Sequence, residues 1–264
     1  MEPRFRSKNR SLSYRERLAH QAWELLKLIY RFSIRWRTSF PQLPILFLPK
    51  EQMLNTALAF VEFNRVRGDY LEFGTYEGNA FITAYHFANS YKLSEMRFYA
   101  FDSFQGLPEF TLEIDQDPEE ELQYWPGDFS CSIEKFQRNL RHHGVALSRV
   151  QIVPGFFGDS LTLQTRGELP IQAAAVVLID CDLYESTIQV LDFITEYLVN
   201  GSVLIFDDWY NFKGDPRRGE RKAFAEWLDR NRGFRASEYH RFAWHGLSFI
   251  IHTVDPAEQN AFPS

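Results

Sequence analysis

The chain has 264 residues, of which 45% are hydrophobic and 24% charged, proportions typical of a soluble globular protein with one or two domains. These values exclude a disordered chain, a collagen-like fibre and a small disulfide scaffold. The net charge of −6 conceals a division: residues 1–40 hold ten basic and three acidic residues, and the rest hold 19 and 32. A basic arm therefore precedes an acidic body, whose charge argues against nucleic acid as its partner.

We place the arm at residues 1–45 and the main domain at residues 46–264. From about residue 14 to residue 37 the apolar positions recur at steps of three and four, which predicts a helix. These positions are Leu18, Ala22, Leu25, Ile29, Phe32 and Trp36. We favour a helix packed on the body or on a second subunit of a homo-oligomer. The alternative is a basic interfacial helix that makes peripheral contact with an anionic membrane.

The compartment is predicted from three features. The longest apolar run, residues 173–179, is shorter than the roughly 18 residues of a membrane-spanning helix. Charged residues such as Glu24 and Lys27 interrupt the apolar stretches near the N-terminus, so we expect no secretory leader. Cys131 and Cys181 lie far apart and have no metal-ligand spacing, which fits a reducing compartment. We therefore expect a cytoplasmic protein.

Beyond the arm, predicted helices and strands alternate. The helices are expected at about residues 51–66, 79–91, 131–143, 184–199 (with a stop at Asn200-Gly201) and 217–231. The strands are expected at about residues 69–73, 97–101, 150–153, 173–179, 203–206, 235–239 and 247–254. This alternation predicts an α/β fold with a doubly wound, mostly parallel sheet. The last two strands have no helix between them, which predicts an antiparallel hairpin at one edge.

A long acidic stretch interrupts this alternation after the second strand. Residues 113–121 hold six carboxylates. A charged connection of this length inside a compact domain is typical of a lid or a binding loop. We expect it to close over a substrate together with nearby aromatic side chains.

Ligands of such sheets bind beyond the carboxyl ends of the strands, so the residues there are the candidate site. After the first two strands these are Glu72, Gly74, Thr75, Tyr76, Glu77, Gly78, Asp102 and Ser103; after the third they are Gly155, Gly158, Asp159 and Ser160. Acids end the fourth and fifth strands as well. Neither G-x-G-x-x-G nor a P-loop occurs, which favours a cationic or hydroxyl-rich ligand over a nucleoside polyphosphate.

S-adenosylmethionine (SAM) is a ligand of this kind. Glu72 could bind its ammonium group, Asp102 its ribose hydroxyls and Asp159 its adenine amine. The alternative for each acid taken singly is a helix cap or a solvated turn residue. Acids at five successive strand ends favour the ligand-binding hypothesis.

Asp180, Asp207 and Asp208 form a second constellation. The helix between the fourth and fifth strands returns the chain to a neighbouring strand end, so the three carboxylates should meet. Carboxylates at close range raise one another's pKa, and Mg²⁺, which prefers carboxylate and water oxygens, relieves that repulsion. We favour a metal site over the alternative that Asp207 and Asp208 cap the next helix. Asp182 is interpreted as a turn residue, and His245 receives no role.

Several segments together resemble a known family, the macrocin O-methyltransferases, which include mycinamicin- and novobiocin-pathway sugar methyltransferases. The likeness runs in order from about residue 50 to residue 230. Its segments are Gly68–Gly74, Glu77-Gly78, Phe101–Pro108, Pro154–Leu161, Asp180–Thr187, Phe206–Asp208 and Gly219–Ala223. The block Asp-Cys-Asp-Leu-Tyr-Glu-Ser-Thr at residues 180–187 is the most specific of them.

The resemblance implies a Rossmann-like class I methyltransferase that uses SAM and Mg²⁺. It also implies that Asp180 both binds the metal and acts as general base, with Asp207 and Asp208 as the other metal ligands. By this resemblance, residues 209–216 form a longer loop than the family has at this point, and the arm is not shared. Both departures leave the acceptor open.

The leading hypothesis is metal-assisted methyl transfer to a hydroxyl of a small molecule, such as a sugar or another natural product. One alternative is a non-catalytic, methyltransferase-like binding or regulatory module, which the intact set of acids disfavours. A weaker alternative is a nucleotide-dependent oxidoreductase, which the missing glycine motif disfavours. Without a nucleophile motif, covalent catalysis is not expected.

Overall fold

The computed structural model describes residues 33–109 and 125–254, together with Gln21 and Leu25. Most of the predicted arm helix and the acidic stretch at residues 113–121 lie outside the described residues. The division of the chain at residue 45 therefore stays a prediction.

The helices and strands follow the predicted alternation. The helices are α1 (Pro49–Phe63), α2 (Asn79–Ser90), α3 (Ile133–His142), α4 (Phe157–Ser160), α5 (Leu163–Glu168), α6 (Tyr184–Ile194) and α7 (Gly219–Arg230). The strands are β1 (Asp69–Phe73), β2 (Phe98–Asp102), β3 (Val150–Pro154), β4 (Ala174–Ile179), β5 (Leu198–Phe206), β6 (Phe234–Phe242) and β7 (Gly246–Thr253). The short helices α4 and α5, between β3 and β4, were not predicted.

The seven strands form one sheet in the order β3-β2-β1-β4-β5-β7-β6. The pairs among β1 to β5 are parallel, and β7 pairs antiparallel with both β5 and β6. The predicted fold class and the antiparallel edge hairpin are therefore confirmed. The apolar strand β4 is buried along its whole length at the centre of the sheet, as its unbroken hydrophobic run requires.

Two hydrophobic cores cover the two faces of the sheet. Tyr70 of β1 packs on one face with Leu54 of α1 and Phe81 of α2. Phe73 of β1 packs on the other face with residues of α6 and α7, including Trp227. Because successive strand residues point to opposite faces, β1 contributes to both cores.

The junction between α6 and β5 differs from the prediction. Helix α6 ends at Ile194, a 3₁₀ turn follows at Thr195–Tyr197, and the strand begins at Leu198. Asn200-Gly201 thus lies within β5 and does not terminate a helix. The reason is tertiary: Ser202 Oγ donates to the Ala174 carbonyl at 2.6 Å and accepts from Val199 N at 2.9 Å, which holds this segment against β4.

The C-terminal end of the predicted arm helix is helical at residues 33–37 and packs on the domain. Ile34 is buried in the core that contains α1. Arg37 Nη1 donates to Glu51 Oε2 at 2.8 Å and to the Leu46 carbonyl at 2.7 Å. Among the described residues, none of the helices combines the length and the hydropathy that crossing a membrane would need.

Candidate active site

Asp180 and Asp207 directly follow the neighbouring parallel strands β4 and β5. Asp180 N donates to the Phe73 carbonyl at 2.9 Å, and Asp207 N donates to the Ile179 carbonyl at 3.0 Å. These bonds extend the strand ladder by one step beyond each strand. The two carboxylates therefore meet at the carboxyl edge of the sheet, where open α/β sheets bind ligands.

Lys50 joins these two acids. Its Nζ lies 2.8 Å from Asp180 Oδ2 and 2.7 Å from Asp207 Oδ2. The lysine belongs to the first turn of α1, which Glu51 fixes by accepting from Leu48 N at 3.0 Å and by pairing with Arg37. Sequence reasoning missed Lys50, because it lies 130 residues from Asp180 and outside any recognisable motif.

His245, which received no role from the sequence, completes a second group. One carboxylate oxygen from each of Asp207 and Asp208 and one ring nitrogen of His245 lie within 4.8 Å of one another. His245 Nδ1 lies 2.5 Å from the Asp207 carbonyl oxygen. Since a carbonyl can only accept, Nδ1 donates a hydrogen bond in this contact. Asp180 does not belong to this group, but its carboxylate hydrogen-bonds with that of Asp207 and shares Lys50 with it.

Burial shifts the pKa values of these acids upward. It raises the pKa of Asp180 to about 7, with Lys50 opposing the rise and Asp207 adding to it. Burial also raises the pKa of Asp208 well above its ordinary value, and the neighbouring Asp182 carboxylate raises it further. The pKa of Glu220 is likewise raised well above its ordinary value by burial and then by Asp208. Each of these acids binds a proton more readily than a solvated carboxylate does.

Several buried oxygens of this cluster have no hydrogen-bond partner among the described residues. They are Asp207 Oδ1, Asp208 Oδ2 and Glu220 Oε1. The other oxygens are engaged: Asp208 Oδ1 accepts from Asn211 Nδ2 at 2.6 Å, and Glu220 Oε2 accepts from Asp208 N at 3.0 Å. Buried polar atoms normally have partners, and these unused oxygens are suited to a cation or a hydrogen-bond donor. Carboxylate oxygens and one imidazole suit a divalent cation.

Asp102 holds the loop that follows β1. Its Oδ2 accepts from Thr75 N at 2.7 Å and from Tyr76 N at 2.9 Å, while its Oδ1 accepts from Phe104 N at 2.6 Å. The carboxylate therefore orders the backbone at the ends of β1 and β2. Ser103 has a similar local role, because its Oγ donates to the Gly106 carbonyl at 2.7 Å.

Gly74 and Gly78 allow this loop to approach its neighbours closely. Gly74 has a φ of +87°, and a Cβ there would lie 1.9 Å from the Asp180 carbonyl oxygen. Gly78 has a φ of +86°, precedes α2, and would place a Cβ 2.8 Å from the Phe136 ring. Only glycine fits both requirements at Gly74. The loop thereby runs directly over the backbone of Asp180.

The other predicted cofactor residues near β1 differ in their burial and in the direction that they face. Glu72 is fully buried within β1; Tyr70 Oη donates to its Oε2 at 2.5 Å, and its Oε1 has no partner among the described residues. Glu77 faces α3, where it pairs with Lys135 Nζ at 2.6 Å. Thr75 is buried, whereas the Tyr76 ring is half exposed against Phe129.

The third predicted cofactor segment lies on α4, next to β3. Gly158 and Asp159 are exposed there, and Ser160 is buried with its Oγ 3.2 Å from the Gly155 carbonyl oxygen that it donates to. The structure thus places residues of β1, β2 and α4 along one edge of the sheet, with Glu77 turned away from it toward α3.

Residues 40–225 match the family profile of the macrocin O-methyltransferases (TylF). The chain belongs to the macrocin O-methyltransferase family. This confirms the resemblance found in the sequence motifs. The match ends before the β6–β7 hairpin that carries His245, so the family's matched segment includes Lys50 and the three aspartates but not the histidine.

Individual relatives agree with this membership. The chain is 30% identical over 145 residues to a tetracenomycin-type rhamnosyl 4'-O-methyltransferase of Streptomyces olivaceus, covering 54% of each protein. It is 32% identical over 148 residues to the mycinamicin III 3''-O-methyltransferase of Micromonospora griseorubida, covering 54% of this chain and 56% of the relative. The alignments thus span about half the length of these curated relatives.

The fold also matches a solved methyltransferase structure. The O-methyltransferase NovP superposes with a TM-score of 0.66 at 24% identity, over 78% of this chain and 80% of NovP. At this level of identity the likeness shows the shared fold.

Proposed function

We propose that the protein transfers a methyl group from SAM to a hydroxyl of a small sugar-containing or related natural-product acceptor. The observation that carries the proposal is the cluster of Asp180, Asp207 and Asp208 at adjacent strand ends of a methyltransferase fold. The named activities of the relatives, which methylate sugar hydroxyls of natural products, support this class of acceptor.

A divalent cation fits the acidic cluster, and we propose Mg²⁺ or a similar ion. Asp207, Asp208 and His245 would hold it, with Asp180 as the further ligand predicted from the sequence. The unpartnered oxygens of Asp207 and Asp208 support this assignment. When bound, such a cation lowers the pKa of an acceptor hydroxyl.

Asp180 is the proposed general base. Its side chain is one-quarter exposed and so can be reached from the crevice, whereas Asp207 is buried. With a pKa of about 7, its carboxylate can accept a proton near neutral pH, where general bases are most effective. In the reaction the hydroxyl oxygen bonds to the methyl carbon, the carbon–sulfur bond breaks with its electrons going to sulfur, and the hydroxyl proton passes to Asp180.

The SAM site is proposed at the ends of β1 and β2. The loop from Gly74 to Gly78, Asp102 and Ser103 line this edge, and Gly158, Asp159 and Ser160 continue it. Asp102 orients the loop amides, and Glu72 keeps one acceptor oxygen unused. SAM supplies the methyl group as a sulfonium, and the carboxylates of Asp102 and Asp159 would offset its positive charge.

The test uses SAM with a trideuterated methyl group and a panel of deoxysugar glycosides. We expect an acceptor that gains one trideuteromethyl group, detected by mass spectrometry, and loss of product after EDTA treatment with recovery on adding Mg²⁺ or Mn²⁺. Activity that survives thorough EDTA treatment would refute the metal role. Calorimetry separates the alternative of a non-catalytic module, which predicts no heat with either SAM or the metal.

For the arm we propose packing on the body or on a second subunit of a homo-oligomer in the cytoplasm. The burial of Ile34 and the Arg37–Glu51 ion pair support packing at the arm's C-terminal end. Co-sedimentation with anionic liposomes, with and without residues 1–32, tests the alternative of a membrane-surface helix. Loss of sedimentation when residues 1–32 are deleted would favour the membrane-surface helix.

A further inference from the structure

Lys50 places a tethered cation on the carboxylates that the proposed metal would need. Its ammonium contacts Oδ2 of both Asp180 and Asp207, at 2.8 and 2.7 Å. These are ion-pair distances, and the lysine side chain remains about 30% exposed. The cluster around it also contains Asp208 and Glu220, whose unpartnered oxygens show that one ammonium does not satisfy it.

A divalent cation and the ammonium compete for the same charge. Both would share Asp207, and two positive charges on one buried carboxylate repel each other strongly where the dielectric constant is low. Asp180 cannot both hold the ammonium through Oδ2 and offer that oxygen to a metal. Occupancy by one cation therefore weakens binding of the other.

The lysine side chain can move without its helix. The first turn of α1 is fixed by Glu51, which bonds both Leu48 N and Arg37. The flexible four-carbon stem of Lys50 is not fixed in this way, and lysine ammonium groups are readily hydrated. Its partial exposure provides a path from the acids to solvent.

We propose that Lys50 is a displaceable internal counter-ion, which neutralises Asp180 and Asp207 in the cation-free protein and leaves them when a divalent cation binds. This inference rests on the metal site of the proposed function. It gives Lys50 a positioning role: arrival of the metal frees the Asp180 carboxylate from its ion pair.

The first test measures Mn²⁺ binding to the purified full-length chain by the electron paramagnetic resonance of free Mn²⁺. Lys50→Met should tighten binding by about tenfold, a typical size for coupling between two sites. Lys222→Met is the matched control, because Lys222 is similarly exposed and also ion-paired, but with Glu226. Its Mn²⁺ affinity should stay near that of the wild type. Unchanged or weaker binding by Lys50→Met would overturn the proposal.

The second test follows the chemical labelling of lysine side chains. Acetic anhydride labels exposed lysines, and peptide mass spectrometry then reports the labelling of Lys50 with and without saturating Mn²⁺. Labelling of Lys50 should rise on metal binding while that of Lys222 stays constant. If Asp207→Asn abolishes Mn²⁺ binding but Lys50 labelling does not respond to Mn²⁺, displacement is wrong and the metal site stands. If neither the wild type nor Lys50→Met binds Mn²⁺, the metal site of the proposed function is wrong as well.

Discussion

The individual acids of the site depend on partners that are distant in sequence. Lys50 reaches Asp180 from α1, and His245 reaches Asp207 from the turn between β6 and β7. The aspartates could be predicted because each directly follows a strand, a position that strand periodicity reveals. Lys50 and His245 could not, because nothing local distinguishes them from solvated residues, and only the packing of α1 and the register of the hairpin bring them to the site.

His245 provides a prediction about the metal ligands. Mn²⁺ bound to the wild-type protein should show nitrogen-14 coupling in electron spin echo spectra, because a ring nitrogen of His245 lies within 4.8 Å of one carboxylate oxygen each of Asp207 and Asp208. A backbone carbonyl that accepts from one ring nitrogen is the usual partner of a metal-binding histidine.

The control pair lies on the same hairpin. His245→Asn should remove the coupling and weaken Mn²⁺ binding by about tenfold or more. His252→Asn should change neither, since His252 contacts Ser237 on the opposite part of the hairpin. Nitrogen coupling that persists in His245→Asn would show that another group binds the metal.

At the scale of structural elements, the loop after β1 links the proposed cofactor edge to the catalytic acid. Gly74 passes over the Asp180 carbonyl, and Asp102 holds the same loop from β2. The glycine and the acid were both recognisable in the sequence as strand-end residues. Their direct contacts were not, because they follow from the parallel pairing of β1 with both β2 and β4.

Gly74→Ala should lower the free energy of unfolding by about 3 kcal/mol, since the new methyl group collides with backbone and alanine disfavours a positive φ. Urea denaturation measures this change. Gly167→Ala, on the exposed helix α5 with nothing within 4 Å of the new Cβ, should be neutral or stabilising. Equal stability of the two variants would contradict the close approach at Gly74.

The predicted boundaries of helices and strands agree with the structure to different degrees. The parallel strands that carry the site fell within a residue or two of prediction, because their apolar runs are bounded by acids and glycines. The start of β5 was predicted incorrectly, because Asn200-Gly201 has the composition of a helix terminus. Ser202 Oγ, which donates to the Ala174 carbonyl of the neighbouring strand and accepts from Val199 N, overrides that local preference.

At the scale of the whole molecule, two parts of the body's acidic charge differ in their surroundings. Part of it is buried at strand ends, and part lies in the stretch at residues 113–121, outside the described residues. Buried acids with raised pKa values keep their protons in the folded state at pH values where the unfolded chain releases them. Composition alone could not show this, because it counts buried and solvated carboxylates alike.

The proton on Glu72 should affect the pH dependence of the free energy of unfolding. Burial raises its pKa well above the ordinary value, so the folded protein keeps a proton that the unfolded chain releases. The resulting stability is complete below the unfolded pKa of about 4.3 and is lost as the pH rises through the higher folded pKa. In EDTA, the free energy of unfolding contributed by Glu72 should therefore fall with rising pH.

Urea denaturation from about pH 5 to about pH 8 tests this slope. Glu72→Gln, which keeps an oxygen to accept from Tyr70, should make the fall shallower than in the wild type. Glu95→Gln, at an exposed position, should leave the slope unchanged. A Glu72→Gln slope equal to that of the wild type would show that this carboxyl does not retain its proton.

The most direct test of the proposed chemistry is the turnover of Asp180→Asn with an acceptor identified as above. We predict that kcat falls by about 10²–10⁴-fold, the usual contribution of a general base, while calorimetry shows SAM binding close to that of the wild type. Wild-type kcat in Asp180→Asn would contradict the assignment of Asp180 as the base that takes the hydroxyl proton.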